Sequence, residues 1–119
     1  MTIKACMFDF SGTLFRVESC EGWLRSVLTA EGVSATGAGE YFIRVGVARD
    51  ICARMELRHE SAERASQDVF AELDAIHGDG GVIVMDRRGH TAWRFNTSGM
   101  YRARLEQGGR PVVQIFANE

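Results

Sequence analysis

The sequence has little of what marks the specialised classes of small protein. Its 119 residues include one proline and no low-complexity tract or block of like charge. Lys and Arg number 14 against 16 Asp and Glu, which gives a formal net charge of -2 and a pI near 5.9. Because binding to nucleic acid relies on a basic electrostatic field, this balance excludes nucleic acid as an expected partner.

Cysteines and long apolar runs are also scarce. Cys6, Cys20 and Cys52 are odd in number and lack CxxC spacing, which fits reduced thiols better than a disulfide framework or a zinc site. The opening residues MTIKACMFDF carry Lys4 and Asp9 around a short apolar run, so they predict neither a signal peptide nor a membrane span. We therefore expect a cytoplasmic protein with no membrane partner, no metal site and no cofactor.

What is present is the composition of a globular chain, with 45% hydrophobic and 25% charged residues. Residues 1–31 begin with an apolar strand at Ile3 to Phe8 and end with an amphipathic helix at Glu18 to Ala30, a β-loop-α unit. From Gly32 to Glu40, small residues and three glycines break the helical pattern. We predict a loop and a domain boundary there, dividing the chain into residues 1–31 and 32–119.

The second segment predicts an α+β fold. One apolar stripe indicates a helix from Glu40 to about Leu57, and Ser61 can cap a second helix that reaches Ile76. Turn-like segments then separate four short apolar runs that predict strands: Val82 to Met85, Thr91 to Phe95, Met100 to Leu105 and Val112 to Phe116. We expect the two helices to lie on one face of a four-stranded antiparallel sheet.

The first candidate site lies at the end of the opening strand. The string FDFSGTLF places Asp9 where a carboxylate can project from a sheet edge into a ligand crevice. It resembles the first motif of haloacid dehalogenase-like hydrolases, which implies that Asp9 would be a nucleophile toward phosphorus. Ser11 stands where that family usually has a second aspartate, and no later motif supplies its lysine or acidic magnesium pair. The alternative is that Asp9 and Thr13 simply end a strand.

The second candidate site is the segment Ser34-Ala35-Thr36-Gly37-Ala38-Gly39, which leads into the Glu40 helix. Hydroxyl groups and unpaired backbone N–H groups at the start of a helix suit a carboxylate or an oxyanion. Such a segment also serves often as a plain cap and turn. The rest of the chain therefore decides how it is interpreted.

Three motifs follow one another in order: SATGAGEYFIR, GDGGVIVMDRRGH and FNTSGMYRA. Together they resemble the C-terminal part of the β subunit of plant-type L-asparaginases and isoaspartyl peptidases, which are N-terminal-nucleophile hydrolases. The resemblance implies one layer of an αββα fold and places Thr36 and Gly37 at the substrate-binding pair. It also implies a substrate that is a small amide or a β-aspartyl peptide.

That family needs a threonine freed as a new N-terminus, whose α-amine acts as base for its own hydroxyl. No TxGG segment for this threonine occurs in the sequence, and Thr13 lacks the flanking motif. We therefore expect a truncated amidohydrolase that is inactive alone. The alternatives are a truncated dehalogenase-like phosphatase and a non-catalytic fusion product or interaction module.

The remaining polar residues predict structural roles. His59, His77 and His90 have no metal-ligand spacing and are expected on the surface. Asn96 and Thr97 fall where a hairpin must turn, which favours a structural role. Because one sheet layer would be missing, we also expect Val82, Val84, Trp93 and Phe95 to be partly uncovered, and the chain to self-associate.

Overall fold

The computed structural model describes residues 32–106 and 108–119. The β-loop-α unit of residues 1–31, including Asp9, lies outside the described residues. The described part contains two antiparallel sheets and three helices in this order: β1 (Gly32–Gly37), α1 (Gly39–Val45), α2 (Val47–Arg58), α3 (Ala62–Ala75), β2 (Gly80–Met85), β3 (Thr91–Phe95), β4 (Arg102–Arg104) and β5 (Val112–Gln114). The expected α+β class is confirmed.

The segment expected to be a loop is a strand. Gly32–Gly37 pairs antiparallel with Gly80–Met85, and Gly80–Met85 pairs in turn with Thr91–Phe95, so the sheet order is β1-β2-β3. Small residues have weak intrinsic strand preference, but a paired neighbour supplies the backbone hydrogen bonds that strand formation requires. The prediction of a loop at residues 32–37 was therefore wrong, because tertiary pairing outweighs local propensity.

The predicted helix from Glu40 to Leu57 is in fact two helices. Gly46 has φ 68°, and its N–H donates to the Phe42 and Ile43 carbonyls at 2.9 and 3.2 Å, which ends α1. The Gly46 carbonyl then accepts from Asp50 N at 2.8 Å as α2 begins. The Ser61 cap is confirmed, since its Oγ accepts from Arg64 N at 3.2 Å directly before α3.

The helices cover one face of the three-stranded sheet, as predicted. Their contact forms a core of aliphatic and aromatic side chains contributed by helix and strand: Val47, Ile51, Met55, Ala62, Ala65, Val69, Phe70, Leu73, Val82, Val84 and Ala92. Phe42 meets Phe70 edge to face, with ring centroids 6.3 Å apart. Burial of each large member contributes about 1.5–3 kcal/mol to the stability of the fold.

The last two strands do not extend that sheet. β4 and β5 form a separate antiparallel pair, so the described strands make sheets of three and two instead of one sheet of four. The reason lies in the side chains of Met100 and Arg102. The Met100 sulfur occupies the space that a side chain on Gly81 would need, and the Arg102 guanidinium lies 5.0 Å from the Trp93 ring centroid. The chain after β3 therefore crosses the face of the sheet opposite the helices.

Arg102 anchors this crossing. It is 3% exposed, and its guanidinium donates to the carbonyls of Met100 at 3.3 Å, Ile115 at 3.0 Å and Phe116 at 3.0 Å. The guanidinium also lies 5.1 Å from the Phe95 ring centroid. Trp93 and Phe95 are consequently half-buried. Val82 and Val84 are 1% and 0% exposed, so the expectation that they are partly uncovered was wrong, because they face the helices.

Candidate substrate-binding site

Thr36 and Gly37 lie at the end of β1, where the chain passes into α1. Thr36 is half-buried and pairs with Gly81, while Gly37 is exposed and pairs with Gly80. Side chains alternate along a strand, and Val33 packs in the helix-covered core, so Ser34 and Thr36 belong to the opposite face. The residue at the helix cap is Ala38, which makes no side-chain cap bond. Thr36 is thus presented by a strand and not by a helix cap.

Two glycines allow the backbones to approach closely at this point. Gly37 has φ 136° and Gly80 has φ 153°, conformations that side-chain-bearing residues rarely adopt. A Cβ on Gly37 would collide with the Asp79 carbonyl oxygen, and one on Gly80 would collide with the Thr36 carbonyl oxygen. Ala38 N donates to the Asp79 carbonyl at 3.0 Å. We call this close approach of the β1 and β2 backbones the Gly80 crossing. The SATGAG and GDGG motifs therefore form one unit.

Asn96 joins the third motif to the same unit. Its Nδ2 donates to the Gly78 carbonyl at 2.9 Å and to Asp74 Oδ1 at 2.6 Å, and its Oδ1 accepts from Gly80 N at 2.8 Å. Its backbone N donates to the Gly80 carbonyl at 3.1 Å. These hydrogen bonds are those that the predicted structural role of Asn96 requires. Sequence reasoning missed that its contacts reach the Gly80 crossing, although the fixed order of the three motifs was the available signal.

The ionisable groups with perturbed pKa values lie elsewhere. Burial opposes ionisation of Asp86, yet hydrogen bonds from the His90 backbone, the His90 ring and the Arg88 backbone outweigh it and lower the Asp86 pKa. The Glu119 pKa is lowered by hydrogen bonds from the backbone N–H groups of Ile115 and Phe116. Asp86 follows the far end of β2, six residues along from Gly80, a distance of about 20 Å.

A cavity of about 430 Å³ lies at that far end, and its lining includes Ser61, Asp86, Arg88 and His90. His90 Nδ1 lies 2.9 Å from Asp86 Oδ2. His59, His77 and His90 are all exposed, as predicted. Within residues 32–106 and 108–119, no three His, Cys, Asp or Glu side chains are grouped so that they could hold a metal ion. None of the helices in this described part is long and apolar enough to cross a membrane.

Comparison with known proteins identifies the family. A family model described as asparaginase matches residues 28–115, so the chain belongs to the asparaginase family of that model. The match includes all three motifs and the Thr36–Gly37 pair. The resemblance that the motifs indicated is therefore confirmed at family level.

The similar relatives are isoaspartyl peptidases by name. The isoaspartyl peptidase of Escherichia coli (strain K12) is 45% identical over 85 residues, covering 71% of this chain and 26% of that protein. The putative isoaspartyl peptidase/L-asparaginase of Dictyostelium discoideum is 49% identical over 70 residues, 59% of this chain and 20% of the relative. The isoaspartyl peptidase/L-asparaginase of Danio rerio is 34% identical over 114 residues, 87% of this chain and 36% of the relative. The chain thus spans about a quarter of the length of the Escherichia coli relative.

Proposed function

We propose that this chain carries the substrate-binding segment of an isoaspartyl peptidase/L-asparaginase-type amidohydrolase and does not hydrolyse substrate by itself. The observation that carries the proposal is the geometry of Thr36 and Gly37 at the crossing with Gly80, inside the region matched by the family. The expected ligands are the side-chain amide of asparagine, a β-aspartyl peptide or the aspartate product. The three-stranded sheet with its helices would then represent one half of an αββα layer.

The chemistry of the pair suits an amide. Gly37 has no side chain and is exposed, which lets a ligand approach its backbone closely. The Thr36 hydroxyl can both donate and accept a hydrogen bond, as a carboxamide or its tetrahedral intermediate requires. Hydrolysis also needs an activated nucleophile, and the printed sequence has no TxGG threonine to provide one. We therefore propose binding without turnover.

Two measurements on the full chain test this proposal. We expect no ammonia from L-asparagine and no aspartate from β-aspartyl dipeptides above a buffer control. We expect L-aspartate to shift the NMR resonances of Thr36 and Gly37, and the Thr36→Val variant to lose this response. Thr91→Val is the matched control, because Thr91 is also half-buried and lies at the opposite end of the same sheet face. Turnover that disappears on changing Thr36 or Thr13 would contradict the lack of activity, and an unchanged response in Thr36→Val would contradict the site.

A second candidate function follows from the string FDFSGTLF. By its resemblance, residues 1–31 would be a dehalogenase-like segment with Asp9 at the nucleophile position, joined to an asparaginase-like segment at residues 32–119. A phosphatase needs cations that offset the charge of the phosphoryl group, and no recognisable motif supplies them. We expect no hydrolysis of p-nitrophenyl phosphate with or without Mg²⁺. Hydrolysis that Asp9→Asn abolishes would favour the phosphatase.

A third candidate is a non-catalytic module, either a fusion product or a partner for another chain. The change of character near Gly32 supports it. It differs from the main proposal in predicting no response of Thr36 and Gly37 to L-aspartate. We also propose a reducing compartment such as the cytoplasm, because the cysteines are odd in number and lack paired spacing.

A further inference from the structure

The Asn96 carboxamide is held in a single orientation by its neighbours. Two acceptors, the Gly78 carbonyl and the Asp74 carboxylate, face its Nδ2, and one donor, Gly80 N, faces its Oδ1. Both amide hydrogens are thereby used, and turning the group over would set its oxygen against two acceptors. An aspartate at this position could keep the bond from Gly80 but would lose both donations. The site therefore selects a carboxamide.

The bonds of Asn96 reach the buried glycines of the stretch Gly78–Gly81, where the chain leaves α3 and enters β2 and which we call the Gly78–Gly81 turn. Gly78 and Gly80 are buried, so their backbone groups need partners within the protein. Asn96 supplies three of these partners, namely the donor to Gly78 O, the acceptor for Gly80 N and the donor to Gly80 O. β3 ends at Phe95, one residue before Asn96. The Asn96 side chain therefore continues the hydrogen bonding of β2 past the end of β3. It fixes where β2 begins.

The start of β2 in turn fixes Thr36 and Gly37. Gly37 is the pairing partner of Gly80, and the Ala38 amide is held by the Asp79 carbonyl at 3.0 Å. A movement of Gly80 toward β1 has little room, because even a single added Cβ on Gly80 would collide with the Thr36 carbonyl oxygen, and one on Gly37 would collide with the Gly80 Cα. Displacement of the Gly78–Gly81 turn is therefore transmitted to the Thr36–Gly37 backbone.

We propose that Asn96 is a positioning residue for the Thr36–Gly37 pair, acting through the Gly78–Gly81 turn, with Asp74 holding its carboxamide in place. The part of this inference that concerns a ligand rests on the function proposed above. The mechanical part does not, because it concerns only the backbone of the crossing.

The test compares four forms of the full chain: wild type, Asn96→Asp, Asp74→Asn and the double variant that exchanges the two side chains. Amide hydrogen exchange at Ala38 and Gly80 reports the crossing without any ligand, and NMR titration with L-aspartate reports binding. Thr97→Val is the matched control, since it removes the hydrogen bond from Thr97 Oγ1 to the Gly99 carbonyl without touching the Gly78–Gly81 turn.

We expect Asn96→Asp to speed exchange at both amides by at least about tenfold relative to the core amides, as loss of a charge-assisted hydrogen bond implies. The dissociation constant for L-aspartate should rise by a similar factor. The double variant should recover part of both effects, because the carboxamide introduced by Asp74→Asn can again donate to the carboxylate introduced by Asn96→Asp. A general loss of stability would not be reversed in this way. Thr97→Val should match wild type at Ala38 and Gly80.

The outcomes separate the two proposals. Unchanged exchange at Ala38 and Gly80 in Asn96→Asp, or no recovery in the exchanged pair, would overturn the positioning role. If wild type gives no response to L-aspartate, the proposed function fails while the exchange data still decide the role of Asn96. Should Asn96→Asp not fold, Asp74→Asn replaces the charged acceptor by a neutral one and should speed exchange at the same two amides. No change there would overturn the proposal.

Discussion

Alanine substitution at three glycines, in increasingly restrictive surroundings, tests the close approach of the β1 and β2 backbones beside Thr36. Gly39 has ordinary φ, and a Cβ there would meet nothing within 4 Å. Gly46 has φ 68° but also has open space around it. Gly80 has φ 153°, and its Cβ would strike the Thr36 carbonyl and lie 2.7 Å from the Phe42 ring. Alanine at Gly39 therefore adds neither backbone strain nor collision, and alanine at Gly46 adds strain alone. Alanine at Gly80 adds both.

The expected costs follow from these environments. Gly39→Ala should stabilise the fold by up to about 1 kcal/mol, since alanine restricts the unfolded chain and favours the helix. Gly46→Ala should cost about 1 kcal/mol, because the left-handed conformation disfavours a side chain. Gly80→Ala adds overpacking of about 1–3 kcal/mol to strain of about 1–3 kcal/mol. Its obstacle is a backbone carbonyl in a paired strand, which cannot rotate away, so we expect a loss in the upper half of the resulting range of about 2–6 kcal/mol.

Urea denaturation followed by far-UV circular dichroism measures these differences. The three variants and wild type should share one slope against urea concentration, so that shifts in the midpoint report stability alone. We expect the order Gly39→Ala, wild type, Gly46→Ala and Gly80→Ala from most to least stable. A Gly80→Ala variant as stable as Gly46→Ala would refute the close contact between β1 and β2, because strain would then be its only cost.

The remaining predictions concern the turn at Asp86–His90 between β2 and β3, the buried Arg102 and the exposed surface. Asp86→Asn should destabilise the fold by about 1 kcal/mol near neutral pH. The lowered pKa of Asp86 implies a stabilisation of the native state that is present above the unfolded pKa and is lost as pH falls through the folded pKa, so the stabilities of wild type and variant should converge in acid, below the usual titration range of aspartate. Arg102→Lys should cost about 2 kcal/mol or more in thermal unfolding, since a compact ammonium cannot reproduce the planar guanidinium that reaches three carbonyls and lies over two rings. Val113 and Phe116 are 73% and 56% exposed, so sedimentation should show concentration-dependent self-association, and a monodisperse monomer would contradict this.

Local signals predicted the elements that depend on nearby residues. The Ser61 side chain caps its own helix, so the start of α3 could be inferred from a few neighbouring positions. The strands at Val82 and Thr91 combine apolar runs with turn residues, which is also a short-range pattern. The helix break at Gly46 was missed because the apolar stripe continues through Val45 and Val47, and a glycine inside a helix pattern does not reveal the sign of its φ.

Elements that depend on distant partners were not predictable in the same way. β1 includes Gly32, Ala35 and Gly37, which are residue types depleted in strands, and it exists through pairing with β2, more than forty positions later. The separation of β4 and β5 from the main sheet depends on where the Arg102 side chain inserts. Hydrophobic patterning predicts which face of a strand is buried, but it does not predict which strand lies beside it. The site residues Thr36 and Gly37 were reached through the ordered motifs, while the role of Asn96 required its hydrogen bonds.

The surroundings of Thr36 indicate which part of a ligand such a site would contact. Along the sheet, Thr36 lies in one row with Gly81 and Phe95, and the Met100 sulfur fills the space above Gly81. These neighbours carry no charge, so the row offers a ligand hydrogen bonds and a deformable apolar wall, not an ion pair. An aspartyl ligand also carries a carboxylate and an ammonium group, and the Arg102 guanidinium is already bonded to three carbonyls. The Thr36–Gly37 pair would thus contact only the side-chain end of the ligand, the amide of asparagine or the β-carboxylate of the aspartate product, which implies weak binding of L-aspartate by this chain.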